Sequence, residues 1–373
     1  MTPESADALT LPPLLDHPGE ALATAQARWR EVLAGTIYGP LPPPPDRLEV
    51  TRNALPDERA ERIGITMGVA DRTHTVDAAL WLPDDAHTPC PLIAGLDFIG
   101  PAGIMSGDAF PLDPQAIVAP RPEYGAHDGR LTSVVRGTSH RQWPVDLLTA
   151  RGYAVLVSCY GSWVPDDSDR WTEYGLAPLL RAEATDTRAI SLWAWAILRL
   201  LDTAECCAEI DPDRLIVAGH SRLGKSALWA AANDTRIKSV FAAHSGCAGA
   251  APARHPVGET TAELTERFPH WTRPDWSKTA DTTDQHALIA AIAPRRVYLA
   301  AAEDDVWADP LGCYAALRSA APMWNSEQDW PAASKVLKDH MQVLRPNLGY
   351  HLRPGGHDLI PYDWHGFLRF LEH

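Results

Sequence analysis

No apolar run in this chain approaches the ~20 residues that cross a bilayer as a helix. The first residues, Met1-Thr2-Pro3-Glu4-Ser5-Ala6-Asp7, contain neither a basic region nor an apolar stretch, so no secretion leader is expected and a cytoplasmic setting is. Positive charge is scarce: 33 Lys and Arg stand against 48 Asp and Glu, a net charge of −15. Such a surface has no basic field with which to displace counterions from a polyanion, which argues against a nucleic-acid partner. A local cationic pocket for one anionic ligand stays open. The six cysteines, Cys90, Cys159, Cys206, Cys207, Cys247 and Cys313, show no metal-type spacing. They read as reduced thiols, and neither a metal nor a disulfide framework is expected. Internal repeats are absent, and so is any linker between two cores. The expectation is one domain over residues 1–373, acting as a monomer, with a cap-like segment over 1–45 and a loop insertion over 99–143.

What the chain does contain is apolar residues, 45% of the total and ample for a core. They fall into short runs that alternate with helical patterns. A helix is expected over about Pro18–Ala34, before the stiff Pro42-Pro43-Pro44-Pro45. Strands follow at Arg47–Asn53, Glu61–Val69, Thr75–Leu82 and Leu92–Phe98, the last a fuller apolar run of the doubly covered kind. After the loop-rich 99–143 segment come a strand at Tyr153–Cys159 and a long amphipathic helix over Glu183–Ala204. A strand into Ser221 and a helix over Leu223–Asn233 follow. Strands at Ser239–Ala243, Arg296–Ala302 and Leu348–Arg353 then alternate with helices at Leu311–Ser319 and Trp364–Leu371. Strands alternating with helices imply right-handed crossovers and an α/β fold with a mostly parallel central sheet between helical layers.

One junction carries chemistry. The run Leu215-Ile216-Val217-Ala218 ends in Gly219-His220-Ser221-Arg222-Leu223-Gly224-Lys225 and opens at once into a helix. This is the sequence form of a nucleophile elbow, a strained strand-to-helix turn that lifts a serine hydroxyl above the sheet edge. A serine hydroxyl needs a base, and in the three-layer α/β-hydrolase fold the order along the chain is serine, acid, histidine. His357, in the glycine-softened turn Arg353-Pro354-Gly355-Gly356-His357-Asp358, meets that order. His351, on a strand, and His365, in a helix, do not occupy the expected loop. The acid is sought after the strand Arg296–Ala302, where Glu303, Asp304, Asp305 and Asp309 compete; Asp309, before Pro310, reads as a helix cap. Asp305 is the choice, with the other three as alternatives. Arg222 offers its backbone N–H to an oxyanion and a fixed charge beside it. Arg222 and Lys225 are cations at a helix N-terminus, where the macrodipole disfavours them, which suggests an anionic or polyhydroxylated ligand.

These residues resemble a family. The Gly219–Lys225 elbow is similar to that of the glucuronoyl esterases, carbohydrate esterase family fifteen, of bacterial type. Ser245-Gly246-Cys247, Gly258-Glu259-Thr260, Phe268-Pro269-His270-Trp271, Trp307-Ala308-Asp309-Pro310 and Gly349–Asp358 match in order, over roughly residues 25–373. The resemblance implies an α/β-hydrolase fold and hydrolysis of carboxylate esters of 4-O-methyl-glucuronic acid, with no cofactor. It implies Ser221 as nucleophile, His357 as base and Arg222 as oxyanion stabiliser, with Lys225, Glu259 and Trp307 contacting the uronate sugar. One departure stands out. Many family members carry their acid just before Ser-Gly-Cys, where this chain has His244. Some relatives use an acid in a D-x-W setting instead, and Asp305-Val306-Trp307 supplies one. His244 is then either a satisfied, partly buried histidine or a second hydrogen-bonding partner in the site. Alternative readings are a broader carboxylesterase, including an acetyl-xylan esterase, and a non-catalytic carbohydrate-binding relative.

Overall fold

Extended segments form where the apolar runs lead one to expect them, and their register decides where the chain's loops gather. The computed structural model describes residues 3–56, 58–84, 89–274, 276, 283–326 and 329–373, without the side chains of residues 183 and 184. The described chain divides into two compact units, one of residues 40–217 and one of residues 1–39 with 218–373. Among the described residues, no helix is long and apolar enough to cross a membrane.

The 40–217 unit begins with an antiparallel meander, β1 (Arg47–Ala54), β2 (Glu61–Val69) and β3 (Arg72–Trp81), and β3 then pairs antiparallel with β5 (Ala154–Cys159). β4 (Cys90–Asp97) lies parallel to β5, Leu92 opposite Ala154 and Asp97 opposite Cys159. The parallel strands are buried along nearly their whole length, as strands covered on both faces must be. β1 instead alternates exposed and half-buried positions, which suits the margin of a sheet. β6 (Ile210–His220) carries the chain out of this unit.

The expected Glu183–Ala204 helix is two pieces. A short turn, Ala182–Thr185, is separated from a helix at Ala189–Ala204 by Asp186, whose φ of 58° no helix accommodates. The longer piece is not amphipathic in the surface sense: every residue from Ala189 to Leu201 is buried, including Trp193 and Trp195. An apolar helix of that kind belongs inside a core. The 99–143 segment is mostly irregular, with short helical turns at Pro101–Ile104, Pro122–Tyr124 and Ser133–Val135. Its start is pinned by buried Asp97, whose carboxylate accepts the backbone N–H groups of Ile99 and Gly100 at 2.9 and 2.7 Å.

In the other unit β7 (Ile237–Ala243), β8 (Arg296–Ala302) and β10 (Leu348–Arg353) run parallel, and β9 (Gln342–Leu344) adds an antiparallel margin. Ala243 lies opposite Ala300, and Ala302 opposite Arg353, so the loops leaving the carboxyl ends of all three parallel strands emerge at one edge. Ligand sites in such sheets form at that edge. Helices Arg222–Asn233, Pro310–Ala320 and Pro361–Glu372 pack on these strands. Phe241 stacks on Phe367, centroids 4.7 Å apart at 14°, and meets Trp364 edge-on at 5.1 Å. The cap-like segment belongs to this unit through residue 39: its helix runs from Leu22 to Leu33, and the Tyr38 hydroxyl donates to the Ala248 carbonyl at 3.0 Å.

Candidate active site

Ser221 sits at φ 57° and ψ −126°, a conformation that costs a non-glycine residue about 1–3 kcal/mol and persists only where the surroundings over-determine it. Three constraints do so here. The Ser221 N–H donates to the Ala243 carbonyl at 2.8 Å, tying the turn to the end of β7. The Lys225 N–H donates to the Ser221 carbonyl at 3.1 Å, so the Arg222–Asn233 helix starts at once. Behind the turn, a Cβ on Gly219 would lie 2.2 Å from the Leu223 carbonyl oxygen, so no other residue fits. The elbow expected from the sequence is thus a property of the backbone.

The acid and histidine loops are cross-linked by main chain. The Glu303 N–H donates to the Arg353 carbonyl at 2.8 Å and the Asp304 N–H to the Gly355 carbonyl at 3.0 Å. Next along the chain, Asp305 turns inward and is buried. Its Oδ2 accepts from His357 Nδ1 at 2.8 Å and from His244 Nδ1, also at 2.8 Å. Burial alone would push the Asp305 carboxyl up, but the two histidine hydrogen bonds outweigh it and hold the group at about 2. An ionised Asp305 only accepts, so both imidazoles carry their proton on Nδ1, which leaves His357 Nε2 as a base. The metal-capable atoms of His244, Asp305 and His357 lie within 4.8 Å of one another. Both Nδ1 atoms are nonetheless engaged on one carboxylate oxygen, so Asp305 is the shared acceptor of the two histidines.

The other acids are occupied elsewhere. Glu303 pairs with His340 at 2.7 Å, and Asp304 is exposed. Asp309 caps the Pro310–Ala320 helix by accepting the Gly312 N–H at 3.0 Å and pairs with buried His255 at 2.6 Å. The expected cap is there.

Lys225, Glu259 and Trp307 come together as well. The buried Lys225 ammonium donates to the carbonyls of Ser245 and Cys247 and lies 3.8 Å from Glu259 Oε2. Burial pushes that ammonium down from its ordinary range, against the pull of Glu259. Glu259 is held by its own backbone, whose N–H donates to the Trp307 carbonyl at 2.9 Å. Gly258 makes this approach possible: at φ 72°, a Cβ there would lie 2.4 Å from that carbonyl oxygen. The Trp307 ring is 42% exposed, unusual for so large an apolar group, with the Arg267 guanidinium 5.1 Å from its centroid. The Arg222 guanidinium lies over Trp271 at 4.3 Å and Phe268 at 5.3 Å, rings that stack on each other at 3.8 Å. Arg222 is therefore aimed by aromatic faces, where the sequence suggested only a charge beside the serine.

Sequence reasoning missed the layer behind the histidines. The buried Arg353 guanidinium donates through Nη1 to the Pro354 carbonyl at 2.9 Å and through Nη2 to the Asp358 carbonyl at 2.6 Å, bracketing the turn that carries His357. Its Nε donates to buried Asp363 at 2.8 Å, and Asp363 also accepts from His351 Nε2 at 2.8 Å. The alternation His351-Leu352-Arg353 on a strand was the available signal, since positions two apart share a face. His220 completes the cluster, its ring 4.8 Å from that of His357.

Comparison with known proteins bears on the family and the fold. The family pattern described as glucuronyl esterase, fungi, matches residues 179–327. Carbohydrate esterase MZ0003, from an unknown prokaryotic organism, is 31% identical over 329 residues, covering 84% of this chain and 74% of that protein. The glucuronoyl esterase from Solibacter usitatus is 30% identical, with a TM-score of 0.83 and coverage of 98% of this chain and 97% of that one. The chain belongs to the glucuronoyl esterases, carbohydrate esterase family fifteen. A promiscuous esterase of the same family, from a marine bacterial metagenome, superposes with a TM-score of 0.85 at 26% identity, covering 100% of this chain and 99% of that one. The fold is thus the α/β-hydrolase fold expected from the alternation of strands and helices. At His244, where the sequence departs from the pattern the resemblance implies, the structure places a histidine that shares Asp305 with His357.

Proposed function

We propose that this chain is a serine-dependent hydrolase of carboxylate esters of glucuronic acid, working through an acyl-enzyme. Ser221 Oγ attacks the ester carbonyl while His357 Nε2 takes its proton, and the Asp305 carboxylate stabilises the imidazolium that forms. The oxyanion is met by the Arg222 backbone N–H, a preformed donor of a kind that contributes about 3–4 kcal/mol to such a step. The alcohol leaves with the proton from His357, and water resolves the acyl-enzyme by the same route. Lys225, Glu259 and the exposed face of Trp307 are assigned to the uronate sugar. The observation that carries this reading is the strained Ser221 elbow in one unit with a histidine whose Nδ1 donates to a buried, ionised aspartate.

A broader carboxylesterase is the second reading, favoured by the promiscuous relative of high structural similarity. Hydrolysis of benzyl glucuronate and of 4-nitrophenyl acetate, by the wild type and by Ser221→Ala and Lys225→Ala, separates the two. A glucuronate esterase should prefer benzyl glucuronate, lose it in Ser221→Ala, and lose more glucuronate than acetate activity in Lys225→Ala. Full activity in Ser221→Ala would sink the acyl-enzyme reading. Equal or faster acetate hydrolysis with no selective loss in Lys225→Ala would establish the broader esterase.

A further inference from the structure

We infer that His244 is a positioning residue for the acid: held as the neutral Nδ1–H tautomer by Arg353, it donates a second hydrogen bond to Asp305 Oδ2 and sets both the aim and the available charge of that carboxylate. The inference rests on the acyl-enzyme reading above, in which Asp305 serves His357.

The tautomer follows from donor and acceptor capacity. Arg353 Nη2 lies 3.4 Å from His244 Nε2, and a guanidinium has protons to give and no lone pair to receive one. His244 Nε2 must therefore accept, and its only proton sits on Nδ1, 2.8 Å from Asp305 Oδ2. Arg353 does not move to release it, because the same guanidinium is fixed by Asp363 and by the Asp358 and Pro354 carbonyls. The charged and titratable groups facing His244 are Asp305, His357, His220, Arg353 and Asp363. A proton added at Nε2 would place a cation against Arg353 and 5.5 Å, between centroids, from the His357 ring that must itself become cationic. Burial pushes His244 in the same direction, below its ordinary range.

The backbone marks the position too. His244 adopts φ 52°, a left-handed conformation that histidine, asparagine and aspartate reach more readily than other side chains. Its N–H donates to the Ala300 carbonyl at 2.8 Å, so the strain is held by the end of the β7–β8 ladder. The two histidines thus divide one carboxylate oxygen between a reacting partner and a fixed one. A fixed donor orients Asp305 and withdraws part of its charge from His357, which keeps His357 available as a base at lower pH.

His244→Ala removes the donor, and His244→Asn restores one, since an asparagine Nδ2–H falls about where the imidazole Nδ1–H was and asparagine tolerates the backbone angle. With benzyl glucuronate, His244→Ala should lower kcat about tenfold with KM nearly unchanged, the size of one charge-assisted hydrogen bond. The acid limb of kcat/KM against pH should move up by about half to one unit, because the full Asp305 charge then favours the imidazolium. His244→Asn should return the limb toward the wild type. Proton spectra of the resting wild type should show low-field imidazole N–H resonances from the carboxylate-bound histidines, those of His255 and His351 included, and His244→Ala should lose one of them while the others stay. An unmoved acid limb in an active, folded His244→Ala protein, or a set of low-field resonances that loses no member in it, would overturn the positioning role. A wild type inert toward the ester would instead defeat the acyl-enzyme reading, leaving the spectra to test the hydrogen bond by itself.

Discussion

Replacing Asp305 with asparagine removes one charge and leaves the shape. In the wild type, His357 Nδ1 lies 2.8 Å from Asp305 Oδ2. Two unit charges at that separation attract by about 6 kcal/mol at the effective dielectric of about 20 that suits protein sites. That attraction exists only once His357 has taken the serine's proton, so it acts on the transition state and not on substrate binding. At about 1.36 kcal/mol per decade, its loss corresponds to roughly a 10⁴-fold fall in kcat, with KM little changed. An asparagine that turns its amide nitrogen toward the histidines also faces two donors with a donor, which adds misorientation of His357. The assay is steady-state hydrolysis of benzyl glucuronate near pH 7.5, with a thermal melt to confirm folding. Glu303→Gln and Asp304→Asn serve as controls, because Glu303 is paired with His340 and Asp304 is exposed. A loss below tenfold in Asp305→Asn would refute the assignment. A large loss in either control would move the acid to that neighbour.

Two further predictions concern stability. Asp309→Ala removes both the cap on Gly312 and the Nδ1 partner of buried His255, at about 1 kcal/mol for the cap and about 1–3 for the orphaned imidazole N–H. Chemical denaturation should therefore show a loss of about 2–4 kcal/mol, while kcat falls far less than in Asp305→Asn; an unchanged midpoint would refute the capping role. On acidification, buried His244 and His286 have folded values below the ordinary 6.5, so the unfolded chain binds protons first. Stability should fall below about pH 6.5 by up to ~1.4 kcal/mol per pH unit for each, and His286→Gln should remove part of that slope. Asp305 acts later: depressed from 3.8 to about 2, it contributes above pH 4 and is lost as pH falls from about 4 to about 2. Melts that stay flat between pH 7 and 5 would contradict the buried neutral histidines.

Most of what is local in this molecule is legible in its sequence. The strands at Glu61–Val69, Arg296–Ala302 and Leu348–Arg353 fall at the expected residues, because a short apolar run bounded by turn residues has one economical conformation. The elbow is legible for the same reason, since Gly219 is demanded by the Leu223 carbonyl behind Ser221 and Gly224 is closely packed. The Glu183–Ala204 segment shows where periodicity misleads. A largely apolar helix looks continuous in sequence, and the break at Asp186 depends on a single backbone angle.

The site divides along the same line. Residue types in a local order are enough for the serine elbow, the histidine loop, the family and a short list of acids. Three-dimensional packing alone settles that His244 and His357, far apart in the chain, donate to one oxygen of Asp305, and that Arg353 fixes the proton on His244. Those partnerships depend on the parallel register of β7, β8 and β10, which brings three separate loops to one edge. Hydrogen bonds discriminate at tenths of an ångström, and a pattern of residue types along a chain does not contain that distance.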